Sequence, residues 1–175
     1  MVIWITGMSG SGKSTLASAL HDVLKPGNPQ TVLLDGDAIR AAFGVGLGYS
    51  EPERVTQIKR IQNLAKMLAD QGLIVIVAAL YAHDDLLQWN RQNLQKYNEV
   101  YLIASMSLLI KRDQKSLYSM AQAGETEDVV GIDIPWHPPR SPDFSFNADE
   151  ELDPAVMVEK LLSGIPFLSD LWAKA

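Results

Sequence analysis

The sequence predicts an α/β fold: a doubly wound parallel sheet of about five strands, helices on both faces, and one lid segment. Three observations carry this. Apolar runs suited to buried strands alternate with stretches whose apolar residues recur at helical spacing. Leu73 to Leu80 is a continuous apolar run, as expected of a central parallel strand covered on both faces. Gly7-Met8-Ser9-Gly10-Ser11-Gly12-Lys13-Ser14 reads G-x-x-x-x-G-K-S and lies between a strand and a helix, the setting a phosphate-binding loop requires.

Val2 to Thr6 is the strand that enters the loop, and Leu16, Ala17, Ala19, Leu20, Val23 and Leu24 mark the helix that leaves it. The chemistry of the loop is specific. Glycines let the backbone approach phosphate, and amide groups with a helix N-terminus supply fixed positive dipoles. Gly7, Ser9, Gly10, Ser11, Gly12, Lys13, Ser14 and Thr15 are the candidates to bind ATP. Lys13 reaches the β- and γ-phosphates, and the Ser14 hydroxyl ligates Mg²⁺.

Pro26-Gly27-Asn28-Pro29 turns the chain into a second strand, Thr31 to Leu34, which ends in Asp35-Gly36-Asp37. Ligands of open α/β sheets sit beyond the carboxyl ends of the strands, so Asp35 and Asp37 are candidate catalytic groups. One of them is expected to cap the next helix and the other to face substrate. A glycine-rich connection leads to Ser50, an N-cap with Glu53 at capping-box spacing and Pro52 early in the helix. Val55, Ile58, Ile61, Leu64, Ala65 and Leu68 give that helix one apolar face. Arg40 and Arg54 flank the connection and are placed to meet an anionic substrate, whereas Lys59 reads as a surface charge.

The Leu73–Leu80 strand ends beside Tyr81-Ala82-His83-Asp84-Asp85, where His83 reads as an exposed loop histidine. A helix over Leu86–Tyr97, a strand over Glu99–Ala104 and a helix from Ser107 into Arg112-Asp113 follow. The stretch from Arg112 to about Pro139 mixes charge, glycine and proline and reads as a helix plus an irregular lid over the nucleotide. P-loop kinases need such closure against water. Arg112, Lys115 and Arg140 are its candidate cations. The last strand is Asp143–Asn147 and the last helix Pro154–Leu162, started by Asp153. The apolar tail, Gly164 to Ala175, is expected to pack on the domain or on a partner chain. The catalytic site is expected where the loop, the Asp35/Asp37 strand end and Leu80 converge.

A length of 175 residues suits a single domain over residues 1–175, and 47% hydrophobic content is ordinary for a globular chain. A net charge of −6 argues against a broad nucleic-acid or anionic-membrane surface. Without cysteine there is no disulfide framework and no thiolate metal site. No signal peptide or membrane span is indicated, so the expected location is cytoplasmic.

The ordered combination now resembles one family. Gly7 to Thr15, Leu34-Asp35-Gly36-Asp37-x-x-Arg40 and Leu47-Gly48-Tyr49-Ser50-x-x-x-Arg54 are similar to stretches of adenylylsulfate (APS) kinases. So are Arg112-Asp113-x-Lys115-x-Leu117-Tyr118 and Gly131-Ile132-Asp133-x-Pro135-x-x-Pro138. The resemblance runs from residue 2 to about 162. It implies transfer of the ATP γ-phosphoryl group to the ribose 3′-hydroxyl of APS with Mg²⁺. Lys13 and Asp35 or Asp37 would be catalytic, and Arg112 would join the loop in binding ATP. Asp37, Arg40, Tyr49, Arg54, Gln57, Leu80, Lys115 and Val129 would bind the acceptor. Arg40 and Arg54 would hold its charged end, and Tyr49 would stack on its base. The family is often dimeric, and the apolar tail permits a homodimer.

The departures gather in the acceptor half. The family's Phe-Ile-Ser-Pro-Tyr-Arg stretch aligns with Ala79-Leu80-Tyr81-Ala82-His83-Asp84. Its Lys-Gly-Phe-Thr-Gly stretch aligns with Glu127-Asp128-Val129-Val130-Gly131, so the second stacking ring becomes Val129. An asparagine becomes Gln57. Each lost base–aromatic stack is worth about 1–3 kcal/mol. The pattern therefore also resembles APS-kinase-like enzymes that phosphorylate cytidine diphosphoramidate in capsule biosynthesis, whose pyrimidine needs less stacking area. A GTPase-type switch lacks its Asn-Lys-x-Asp motif here, and a module without catalysis would not need Lys13, Ser14, Asp35 and Asp37 together.

Overall fold

The computed structural model describes residues 1–44, 46–113, 116–151 and 153–172. Five strands form one parallel sheet: β1 (Val2–Thr6), β2 (Thr31–Asp35), β3 (Ile74–Ala79), β4 (Tyr97–Ile103) and β5 (Phe144–Asn147), in the order β2-β3-β1-β4-β5. Among the described residues, eight α-helices connect and flank them: α1 (Lys13–Leu24), α2 (Gly36–Ala42), α3 (Glu51–Asp70), α4 (Asp84–Asn93), α5 (Met106–Arg112), α6 (Leu117–Gln122), α7 (Pro154–Gly164) and α8 (Pro166–Trp172).

The alternation of side chains along β1 builds two cores. Ile3 and Ile5 face one layer with Leu16 and Leu20 of α1, Leu161 of α7 and Leu168. Val2 and Trp4 face the other layer with Ile58 and Ile61 of α3 and Leu87 of α4. β3 is buried over its whole length, as its unbroken apolar run requires. The chain leaves β1 for one half of the sheet and later crosses to the other. The carboxyl end of β1, flanked by β3 and β4, is therefore the switch point where a ligand crevice opens.

Local signals behave as their chemistry requires. Ser50 and Glu53 close the capping box of α3, with Pro52 in its first turn, and Asp153 caps α7. Some boundaries differ from expectation. α4 ends at Asn93, and Tyr97 already belongs to β4. The reversal between them uses Lys96 at φ 48°, a left-handed residue with no glycine to advertise it. α5 stops at Arg112 because Asp113 turns away and caps α6 instead, accepting from the amides of Tyr118 and Ser119. Burial raises the Asp113 carboxyl, but those amide hydrogen bonds outweigh it and hold its pKa below the ordinary value.

The tail packs on the domain's own core. Ile165 and Leu168 are buried in the layer beneath α1, and Phe167 and Leu171 lie against it. On the other face a polar chain runs through the interior: Gln62 donates to Asn90 Oδ1 at 2.8 Å, Asn90 to Tyr97 Oη at 3.2 Å, and Tyr97 to Glu99 at 2.8 Å. Arg91 pairs with Glu99 at 3.5 Å and with Asp143 at 3.3 Å. Among the described residues no helix is long and apolar enough to cross a membrane.

Candidate functional site

A cavity of about 600 Å³ opens at the carboxyl end of β1, within the size range of small-molecule sites. One wall is the loop from Ser9 to Thr15, another is Asp35, Gly36 and Asp37, and Leu80 closes the β3 side. Arg112, Asp113, Leu117 and Tyr118 form a third wall, and Ala148, Glu151, Pro154 and Met157 a fourth.

Backbone geometry builds the first wall. Gly10 and Gly12 take φ of 79° and 101°, left-handed values that bend the chain around an anion. A Cβ on Gly7 would stand 2.6 Å from the Leu102 carbonyl oxygen, so only glycine lets β1 leave the sheet so close to β4. Gly12 caps α1, whose first residue is Lys13. The Lys13 ammonium donates to the Met8 carbonyl at 2.7 Å, which folds it back over the loop. Ser11 is buried within the loop, while Ser14 and Thr15 are open.

Asp35 couples this wall to the next. Its Oδ1 accepts from the amides of Asp37 at 3.0 Å and Ala38 at 3.3 Å, and so caps α2. Its Oδ2 accepts from the Ser14 hydroxyl at 2.6 Å. Asp37 sits in the first turn of α2, exposed, with the cavity in front of it. Asp35 thus caps α2, and both aspartates line the cavity.

The Ser14–Asp35 pair is an oxygen-only donor set at the mouth of the phosphate cradle. Mg²⁺ takes one or two such protein oxygens and completes its shell with water and substrate phosphates. Among the described residues no trio of His, Cys, Asp or Glu could cage a metal alone. The residues present therefore fit a magnesium ion that arrives with a nucleotide.

The third wall is tied to the loop. Arg112 donates to the Gly10 carbonyl at 3.3 Å, and the buried Tyr118 hydroxyl donates to the Ser9 carbonyl at 2.9 Å. Tyr118, like Ala148, Pro154 and Met157, lines the cavity without having been singled out from the sequence. Tyr118 at least lies in the Arg112–Tyr118 stretch that carried the resemblance, whereas the other three have no local signature.

The remaining described residues predicted for the acceptor lie outside this lining. Arg40 follows Asp37 by three residues, and its guanidinium stands 4.6 Å from the Tyr49 ring centroid while donating to the carbonyls of Leu47 and Gly48. Arg54 approaches the same ring at 5.4 Å and donates to the Asp128 carbonyl at 2.6 Å. Burial first, and then the like charge of Arg40, lowers the pKa of Arg54, with Asp128 opposing. Two cations thus bracket one half-exposed ring, an arrangement that an anionic ligand would relieve. Gln57 is buried, with its Oε1 unpaired and its Nε2 3.5 Å from the Gly36 carbonyl. Val129 is 1% exposed and packs with Ala104, Leu109 and Tyr118. Lys115 lies outside the described residues.

Within the 112–139 stretch, α6 faces the cavity. The 128–134 turn is laced by Asp133, which accepts from the amides of Asp128 and Val129. Val130 and Ile134 join the α3 and α4 core, and Gly131 lies against Met8 of the loop. At the β3 end, the buried Tyr81 donates to Glu51, His83 caps α4, and Asp84 pairs with Arg140.

Comparison with known proteins agrees with this geometry. The adenylylsulphate kinase family model matches residues 1–147. An adenylyl-sulfate kinase of Deinococcus deserti is 39% identical over 148 residues, covering 85% of this chain and 82% of that protein. One from Pseudomonas entomophila is 43% identical over 147 residues, covering 83% of this chain and 71% of that protein. The Mycobacterium tuberculosis APS kinase CysC, solved in complex with AMPPNP and APS, superposes with a TM-score of 0.84 at 30% identity. That match covers 93% of this chain and 95% of the other.

Proposed function

This chain belongs to the adenylylsulphate kinase family of ATP-using phosphotransferases, and from that premise we propose that it transfers the ATP γ-phosphoryl group to the ribose 3′-hydroxyl of APS. The observation that carries the reading is the single cavity shared by the phosphate loop, the Asp35–Asp37 strand end and Arg112. Donor phosphates, an acceptor-facing carboxylate and a cation for the nucleotide are all within one space.

Phosphoryl transfer asks a protein mainly to position groups and neutralise charge. The loop amides and Lys13 hold the β- and γ-phosphates. Ser14 and Asp35 would hold Mg²⁺, which supplies further neutralisation of the transferring group. Asp37, exposed in the first turn of α2 and lining the cavity, would orient the acceptor. The acceptor oxygen bonds to the γ-phosphorus as the bond to the β–γ bridging oxygen breaks. The hydroxyl proton passes to Asp37 and on to solvent, and ADP leaves. Arg40 and Arg54 would bind the acceptor's anionic end, with Tyr49 between them as the stacking face.

ADP release measured with APS and, separately, with cytidine diphosphoramidate tests this reading. Turnover with APS is expected. Turnover with cytidine diphosphoramidate alone would move the acceptor to that nucleotide, and turnover with neither, despite ATP binding, would overturn the kinase assignment.

A further inference from the structure

Glu51 and Arg54 are three residues apart in the first turns of α3, a spacing at which a carboxylate and a guanidinium normally meet on one helix face. They do not meet here. The Glu51 carboxylate is taken by the Tyr81 hydroxyl, which donates to its Oε1 at 2.5 Å. Tyr81 comes from the loop after β3, is 3% exposed, and belongs to the stretch where this chain departs from the family pattern. Burial first, and then the Glu51 contact, raises the Tyr81 phenol well above its ordinary value, so it stays a donor across the working pH range.

Arg54 is left with its charge. Its hydrogen bond goes to the neutral Asp128 carbonyl, its Nε is buried without a partner, and among the described residues no carboxylate lies within ion-pair distance of it.

We propose that Tyr81 is a positioning residue for the acceptor: by holding Glu51, it keeps Arg54 out of a helix-face ion pair and available to the acceptor's anionic end. The inference rests on the reading that Arg54 meets the acceptor. It also gives the loop after β3 a role that needs no direct contact with substrate. Without the phenol hydroxyl, Glu51 turns to Arg54 and competes with the incoming anion.

The test is steady-state kinetics of the full chain with whichever of the two nucleotide acceptors the wild type turns over. Wild-type turnover with either decides the kinase reading before any variant is compared. Tyr81→Phe is expected to raise the acceptor KM by about tenfold, on the scale of one relocated ion pair. It should leave kcat and the KM for ATP within about twofold. The penalty should shrink in added salt, which screens a newly formed surface pair. Glu51→Gln in the Tyr81→Phe background should return the acceptor KM to the wild-type range, because the competing charge is gone. Tyr81→Met, which also removes the donor, should raise the acceptor KM and be rescued in the same way. An acceptor KM unchanged in both Tyr81 variants would overturn the proposal. So would a rise that Glu51→Gln fails to reverse, or a parallel rise in the KM for ATP, since lost packing alone would not depend on the charge at Glu51.

Discussion

Asp35 and Asp37 lie two residues apart, yet their replacement should separate stability from chemistry. Asp35→Ala removes an N-cap worth about 1 kcal/mol and a side-chain hydrogen bond worth about 0.5–1.5 kcal/mol. Their sum, about 1.5–2.5 kcal/mol, corresponds to a Tm fall of about 3–10 °C for a chain of this size. Asp35→Asn keeps the capping Oδ1 and loses mainly the favourable charge at the helix start, about 0.3–1 kcal/mol, or roughly 1–4 °C. Asp37 also lies in the first turn of α2, so Asp37→Asn should lower Tm by roughly 1–4 °C, like Asp35→Asn, while lowering kcat by on the order of 100-fold, the lower range for a positioned general base. Differential scanning calorimetry and a coupled ADP-release assay on the three variants read both quantities. The reasoning fails if Asp37→Asn destabilises as much as Asp35→Ala, or if it retains wild-type kcat.

Three further outcomes follow from the same geometry. Lys13→Ala should reduce ADP release at least 100-fold, the usual cost of a lost electrostatic stabiliser, with the fold unchanged by circular dichroism. Val129→Phe restores a family-like ring but places it in a buried cluster. It should cost about 1–3 kcal/mol, seen as a lower urea midpoint, without improving the acceptor KM. Burial raises the pKa of Glu99, with Tyr97 and Arg91 opposing. A carboxyl raised in the folded state contributes stability that is present below its unfolded value of about 4.3 and lost as pH climbs through the folded one. Glu99→Gln should therefore gain stability relative to wild type as pH rises above about 4.3 in denaturant titrations. A constant difference would show that Glu99 does not titrate in that window.

Much of the site could be read in advance because its signals are local. The phosphate loop needs glycine where φ turns positive, and the capping residues Asp35, Ser50 and Asp153 act on amides two or three residues away. Such interactions leave spacing patterns. The limits of α4 and β4 left none, because Lys96 takes the left-handed turn that a glycine would have announced. The fourth cavity wall was equally silent: Pro154 and Met157 come to the loop through the packing of α7 on α1, and Ala148 by following β5 into the cluster around Tyr118. Val129 shows the opposite failure. Alignment by family pattern puts it at the acceptor's base, whereas the lacing of the 128–134 turn by Asp133 directs it into the cluster around Tyr118.

The shared core of β1 and α8 has a consequence for biosynthesis. Ile3 and Ile5 leave the ribosome more than 150 residues before Leu161, Ile165 and Leu168, which complete their layer. A nascent chain that has emerged only through β5 holds the five described strands and has α1 on that face of the sheet, but not α7 or α8. The nucleotide cavity at that moment also lacks Pro154 and Met157. Ligand can therefore reward the docking of α7, and until then the part of that face that α7 and α8 cover is apolar surface open to misassociation.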